Sequence, residues 1–282
     1  MDNPPTAQSI RLASRNGTIT STAYSTNTVQ CNLIVLPSDY AHSFISLCQR
    51  NPVSCPLLWV GQPGVRNTPL ADGADLSTDV PLYNVYVNGI LQTPEGVPNI
   101  ANEWSMDHVG FLIGCSYSFE HALTRKGYPP KHTLYDPPRS VPMFKTTIPL
   151  FPAGEFSNGV VVVSMRSYKI EHVKHVRRIT REFPRQHGEP IAIGWRGAAV
   201  LGIYDKVKNG SVDFGDWVEI DEENGEIPVF WGCGVTPQVA VMESRVEGTI
   251  MSHRPGCMFV SDVPSDNELS LKEFQLRLGG PF

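Results

Sequence analysis

Residues Val109 to Leu123 read Val-Gly-Phe-Leu-Ile-Gly-Cys-Ser-Tyr-Ser-Phe-Glu-His-Ala-Leu. The apolar run Val109 to Ile113 predicts a buried strand, and Gly114-Cys115-Ser116 stops it. A helical pattern follows, with Ser116 or Ser118 placed to cap it and Glu120 in its first turn. The same design returns downstream. Ile227-Pro228-Val229-Phe230-Trp231 leads into Gly232-Cys233-Gly234-Val235-Thr236-Pro237, then Gln238-Val239-Ala240-Val241-Met242. Thr236 can cap there, and Pro237 sits where a first helical residue tolerates proline. Each strand-to-helix corner aims backbone N–H groups and the positive end of a helix dipole at one spot, which suits a carboxylate. Each also places a thiol where a helix N-terminus would lower its pKa. The plainer alternative is two tight turns whose small cysteines only fill space.

Composition limits what the chain can do. Its 282 residues are 41% hydrophobic, enough for a real core in one large domain or two smaller ones. Net charge is -5, so no basic face is offered to nucleic acid. No apolar run approaches the roughly 20 residues that span a membrane. Cys31, Cys48, Cys55, Cys115, Cys233 and Cys257 are scattered without a C-x-x-C pair. They read as reduced thiols, and the polar start Met1-Asp2-Asn3-Pro4-Pro5 lacks a signal peptide's apolar core. A cytoplasmic location is expected. Arg11 and Arg15 among Ser and Thr keep a mitochondrial matrix alternative open.

A strand is expected over Val29–Leu36, a helix over Tyr40–Arg50 and a strand over Cys55–Val60. Leu82–Val87 alternates and ends at the hairpin signal Asn88-Gly89. After Gly127 the texture changes, and prolines crowd residues 128 to 157. Strands at Met143–Ile148 and Val160–Met165, a helix at Ile170–Arg181 and a strand at Ile191–Ile193 would make a small two-layer unit. That unit is placed at 141–197 as an insertion, leaving 1–140 and 198–282 as the main α/β domain. Trp217–Ile220 and Ile227–Trp231 are expected to rejoin the main sheet, and Leu269–Leu278 to form a closing helix.

Several residues could carry chemistry. His253, in Ser252-His253-Arg254-Pro255-Gly256-Cys257, lies near Asp262 and could serve as general acid or base, or could sit in a surface turn. Arg166 ends a strand and Arg139 stands in the proline-rich approach. Either could grip a carboxylate, although lone arginines more often form surface pairs. His187 could reach a site or only terminate a helix. The basic face of Ile170–Arg181 reads as solvated. His172 and His175 are three apart, but no carboxylate or cysteine completes a metal set, so no metal is assigned. No phosphate loop, dinucleotide fingerprint or serine-hydrolase elbow is present, and no cofactor is expected.

Taken together the segments resemble the D-glutamate cyclase family, a family of hydro-lyases. The resemblance runs from about Gln30 to Asp262. It rests on Gln30-Cys31-Asn32-Leu33, Cys48-Gln49-Arg50-Asn51-Pro52, Cys55-Pro56-Leu57-Leu58, Thr78-Asp79-Val80-Pro81 and Gly114-Cys115-Ser116-Tyr117-Ser118-Phe119-Glu120. It continues in Arg139-Ser140-Val141-Pro142-Met143, Val163-Ser164-Met165-Arg166, Phe183-Pro184, His187-Gly188 and Phe214-Gly215-Asp216. Pro228-Val229-Phe230-Trp231, Cys233-Gly234-Val235-Thr236-Pro237 and His253-Arg254-Pro255-Gly256 complete it. The resemblance implies an α/β fold: a three-layer α/β/α main domain and a smaller two-layer α+β domain. It also implies a lyase that closes D-glutamate to 5-oxo-D-proline with loss of water. Four stretches depart from the family pattern. Ser140 replaces an Asn, Cys257 a His, Ala192 and Trp195 a His and an Asp, and Thr20 to Asn27 a Gly-rich stretch.

Such a reaction needs a neutral amine, a protonated leaving oxygen and two anchored carboxylates. The expected binding set is Cys115, Ser116, Ser118, Cys233, Gly234 and Thr236 at the corners, with Arg139 and Arg166 adding charge. His253 would move the proton, with Glu120 or Asp262. The partner expected is thus a small-molecule carboxylate, with no nucleic acid and no membrane, and a homo-oligomer is left open. Two rivals stand beside this reading. One is a cofactor-independent amino acid racemase or epimerase with paired cysteines. The other is a non-catalytic binder of small dicarboxylates.

Overall fold

A computed structural model describes residues 5–24, 26–244 and 246–278. The molecule is mixed α/β, built on two sheets with no closed barrel among the described residues. The organising strand is β1 (Thr28–Pro37), eight of whose ten residues are buried. It is too apolar for a half-exposed strand, and both of its faces are covered. Ile34 and Leu36 pack with Phe44, Phe111 and Phe144, whereas Leu33 and Val35 pack with Leu76, Leu112 and Phe259.

Around β1 lie β2 (Leu57–Val60), β3 (Tyr83–Val87), β4 (Ile90–Leu91), β5 (His108–Gly114), β10 (Thr249–His253) and β11 (Phe259–Pro264). Their order is β2-β5-β1-β10-β3-β4, with β11 also pairing β1, and every pairing is antiparallel. The Asn88-Gly89 hairpin signal holds, with φ of 52° and 77° at the two positions. α2 (Ala41–Arg50) follows a 3-10 turn at Ser38–Tyr40 and presses Phe44 and Leu47 on the sheet. α1 (Ala7–Arg15) and α8 (Asn267–Arg277) lie by β11.

The second sheet runs β6-β7-β9-β8, from β6 (Met143–Pro149), β7 (Val160–Lys169), β8 (Ala192–Ile193) and β9 (Glu226–Gly232). One correction follows. The segment Ile227–Trp231 does not return to the main sheet but pairs with β7, from Lys169↔Glu226 to Val163↔Gly232. A short apolar run carries no mark of its partner, and β7 offers a long apolar edge there. Trp217–Ile220 forms no strand. Val161, Val163 and Met165 of β7 and Phe230 of β9 join the same apolar cluster as Ile34 and Phe111, so one core links the two sheets. α3 (Tyr117–Arg125), α4 (Ile170–Arg181), α5 (Gly194–Val200), α6 (Tyr204–Lys208) and α7 (Thr236–Ser244) complete the fold. No helix among the described residues is long and apolar enough to cross a membrane.

The antiparallel topology also changes what the corners mean. Antiparallel strands give a sheet no common C-terminal edge of the kind that gathers ligands in parallel α/β folds. The corners belong to different sheets, β5 to the first and β9 to the second, so they meet by sheet packing.

Candidate functional site

Gly114, at the end of β5, lies opposite Cys31 of β1 and donates its N–H to the Pro56 carbonyl at 2.9 Å. A Cβ at 114 would overlap the Arg185 carbonyl oxygen, which is why glycine stands there. Ser118 N–H closes the turn on the Cys115 carbonyl at 3.1 Å, and Tyr117 N–H points to the Cys115 thiol. The second corner repeats this. Thr236 N–H donates to the Cys233 carbonyl at 2.9 Å, and Val235 N–H points to the Cys233 thiol.

The hydroxyls expected as helix caps serve other partners. Ser118 Oγ accepts from Gln30 N–H at 2.9 Å, and Thr236 Oγ1 accepts from Val162 N–H at 3.0 Å. Both side chains fasten a helix start to a neighbouring strand. Ser116 makes no cap bond either; its Oγ accepts from Arg166 Nη2 at 3.1 Å.

The two corners line one narrow, partly open cavity of about 20 Å³, with Ser116, Cys115, Cys233 and Gly234 among its walls. That is room for a single water-sized guest. His253 lines the same cavity and is fully buried. β10 places it beside Leu33, because Ile34 lies opposite Ser252. Gln238 Nε2 lies 3.0 Å from His253 Nδ1, and Leu33 N–H donates to the same nitrogen at 3.2 Å. The Leu33 carbonyl is also 3.2 Å away. With two donors converging on Nδ1, the ring proton belongs on Nε2. That nitrogen is buried and has no hydrogen-bond partner. Burial brings the His253 pKa down to about 4, so the ring is neutral near pH 7.

The thiols do not behave as the corner geometry alone suggests. Burial pushes Cys115 up to about 12 and Cys233 up to about 11, against the lowering effect of the N–H each accepts. Desolvation outweighs the helix terminus, and both are protonated thiols at neutral pH.

Arg166 and Glu120 lie behind the first corner and are occupied with each other. Arg166 Nε donates to Glu120 Oε1 at 2.9 Å, Nη2 reaches the same oxygen, and both side chains are fully buried. Arg166 Nη1 donates to Ser164 Oγ at 3.0 Å, and the guanidinium lies over the rings of Phe119 and Trp231. His132 Nε2 stands 3.2 Å from Glu120 Oε2. Burial acts to raise the Glu120 carboxyl, but the facing charges of His132 and Arg166 win, and it stays ionised below its usual range. This cluster corrects two expected roles. Arg166 has no free fork for a substrate, and Glu120 is a counter-ion, not a proton carrier.

Two further residues lie outside the cavity wall. Asp262 accepts from Arg11 Nη1 at 2.7 Å and from Asp72 N–H at 2.8 Å, so it is not the partner of His253. Arg139 donates to the Trp217 carbonyl at 2.8 Å and stacks 3.9 Å over Tyr135, although its neighbour Ser140 does line the cavity. Cys257 lies in the core beneath, its Sγ donating to the Thr20 carbonyl at 3.3 Å. Among the described residues no group of three His, Cys, Asp or Glu could hold a metal ion.

Asn32 was missed as a site component. Asn32 lines the cavity and donates Nδ2 to the Gly114 carbonyl at 2.9 Å. Its signal is a polar side chain inside the mostly apolar segment Val29–Leu36, which it shares with Gln30. His187 is buried behind both corners, its Nδ1 2.8 Å from the Val53 carbonyl and tight against Gly232. It adopts a left-handed φ of 77°, which a sequence does not announce.

The sequence pattern of D-glutamate cyclase matches residues 109–262. A Schizosaccharomyces pombe protein named "Putative hydro-lyase" is 44% identical over 257 residues, covering 89% of this chain and 82% of that one. Like-named proteins from Corynebacterium urealyticum and Arthrobacter sp. are each 45% identical, covering 89% and 91% of this chain and 92% of their own length. With these matches spanning both corners and His253, the chain belongs to the D-glutamate cyclase family.

Proposed function

We propose that this protein is a carbon–oxygen lyase that cyclises D-glutamate, or a similar small acidic amino acid, to 5-oxo-D-proline with loss of water. The observation carrying this reading is the meeting of two helix N-termini and the unpartnered His253 Nε2 at one buried cavity. The N–H groups of Ser116 and Gly234 would receive the two substrate carboxylates. The substrate needs more room than the cavity offers, so entry would displace flexible side chains, and Met143 and Met258 line the wall.

The atoms balance within the substrate. The ammonium nitrogen forms the lactam C–N bond and gives up two protons. The γ-carboxylate loses one oxygen, which leaves with those protons as water. A neutral imidazole with its proton on Nε2 can hydrogen-bond that oxygen as charge builds, while the ammonium protons pass to it directly within the folded substrate. Folding the substrate into a near-attack shape between the corners would supply a further part of the acceleration. The high thiol pKa values weigh against the two-cysteine racemase, since neither thiol is poised to remove an α-proton.

The test is incubation of purified protein with D- and L-glutamate, with 5-oxoproline as the readout and Cα deuterium uptake followed in heavy water. Formation of 5-oxo-D-proline without Cα exchange is expected, and His253→Ala should abolish it while keeping the wild-type melting transition. No product from either enantiomer across pH 5 to 9 would overturn the cyclase reading, and Cα exchange would favour the racemase.

A further inference from the structure

We propose that Asn32 is the residue that recognises the substrate's amino group, so that the site selects amino dicarboxylates over plain dicarboxylates of equal length. This rests on the reading of the cavity as an acidic amino acid site. Asn32 is, with Gln30, one of two buried carboxamides in β1, it is 3% exposed, and of the two it is the one that lines the cavity. Burying a carboxamide in a strand core is costly unless its polar atoms have partners. Half of that demand is met, because Nδ2 donates to the Gly114 carbonyl at 2.9 Å. No donor among the described residues serves Oδ1, and the residue lines the cavity.

The carboxamide cannot turn to hide this acceptor. Its nitrogen is fixed by the first corner, and its plane lies against Gly234 of the second. A Cβ at 234 would overlap Asn32 Nδ2 and Cγ. A single side chain therefore touches both corners and presents an oxygen between them. The two N-termini offer donors only, which suits carboxylates and does nothing for an ammonium or amine. Asn32 Oδ1 is a neutral acceptor in the same cavity, next along β1 from Leu33, whose backbone holds His253. An N–H of the substrate's nitrogen held there would orient its lone pair while keeping it near His253. An aspartate at this position would repel the two carboxylates the corners attract, so a neutral acceptor is the consistent choice.

The experiment compares D-glutamate with glutarate, which has both carboxylates and no amine, in the wild type, Asn32→Leu and Asn32→Asp. Glutarate is read as Kd or as an inhibition constant. D-glutamate is read as kcat/KM where product forms and as Kd where it does not. Asn32→Leu should weaken D-glutamate about tenfold or more, the worth of a hydrogen bond to a polar or charged group, and change glutarate less than about threefold. Asn32→Asp should shift preference the other way, weakening glutarate more than D-glutamate. Should the Leu variant fail to fold by its melting transition, the Asp variant alone carries the comparison. Equal losses for both ligands would make Asn32 a spacer between the corners and overturn the proposal. Binding of both ligands with the expected split but without product would retain Asn32's role and discard the cyclase. Failure of both ligands to bind the wild type would remove both.

Discussion

The two Gly-Cys corners share a backbone plan and are held in place by opposite means. The first leans on buried charge. Its Ser116 is bonded to Arg166, whose guanidinium is neutralised by Glu120 and packs over Phe119 and Trp231. The second leans on neutral contacts: Thr236 clamped to the Val162 backbone, Gly234 flush against Asn32, and Gly232 close to Val53 and His187. A repeated motif therefore does not carry its supports with it. The thiol, the closing N–H and the helix start recur because local chain geometry sets them. What stands behind each is set by the sheet it ends.

The largest expected effect breaks the charged support. Glu120→Gln leaves the Arg166 cation buried without its counter-ion, which should cost about 3–5 kcal/mol in chemical denaturation. Replacing both partners in Glu120→Gln/Arg166→Met should recover much of that loss, because an apolar side chain needs no counter-charge. No recovery would mean that Arg166 contributes through Ser116 and the aromatic rings more than through charge. No comparable charge deletion exists at the second corner, where Thr236→Val removes two neutral hydrogen bonds to the Val162 backbone and should cost about 1–3 kcal/mol.

The glycines sharpen the contrast by the kind of atom each one meets. Gly114→Ala drives a methyl into the backbone carbonyl of Arg185, which can yield only if the loop around Pro184–Gln186 shifts. Gly234→Ala meets the end of the Asn32 side chain. Overpacking costs about 1–3 kcal/mol, and Gly114→Ala should lie at the upper end and Gly234→Ala at the lower. The order should reverse for activity. Gly234→Ala displaces the carboxamide that faces the cavity, so it should lose turnover out of proportion to its stability, whereas Gly114→Ala should lose both together. Melting curves and kcat/KM on the same preparations decide it.

Much of this arrangement is legible in the residues, and the rest fails for identifiable reasons. The strand-Gly-Cys-helix pattern announces both corners, since strand period, glycine and cap-like residues are local signals. That they share a cavity is a consequence of how two antiparallel sheets pack. Nothing in Ile227–Trp231 says that β7, and not β1, is its neighbour. The Arg166–Glu120 pair joins residues 46 apart, and either alone reads as available chemistry. Ser118 and Thr236 look like caps because hydroxyls favour helix starts, yet the donors they serve come from other strands. Asp262 lies nine residues from His253 in sequence and is taken by Arg11. Asn32 was legible in part, as a carboxamide in a mostly apolar strand, although Gln30 gives the same signal and lies outside the cavity. The thiol pKa shows the limit of motif reasoning: the helix terminus is visible in sequence, and the burial that overrides it is not.

Two buried histidines test how tightly the corners are sealed, one at the cavity and one behind it. His253 and His187 each hold a proton only below about pH 4 in the folded chain, because burial disfavours the charged ring. Unfolded, each would titrate near its ordinary value of 6.5. Above that value both states are neutral and neither residue makes stability vary with pH. Between pH 6.5 and 4 the unfolded chain binds more protons, so stability falls as pH falls, by about 1.4 kcal/mol per pH unit for each histidine. Urea titrations across this window should show that slope, and His187→Gln and His253→Gln should each remove about half of it. An unchanged slope in His253→Gln alone would mean that the cavity admits water in solution and that the ring is solvated there. That result would separate the mouth of the site from its backing. His187, wedged against Gly232 and the Val53 carbonyl, would keep its share of the slope whether the cavity is wet or dry.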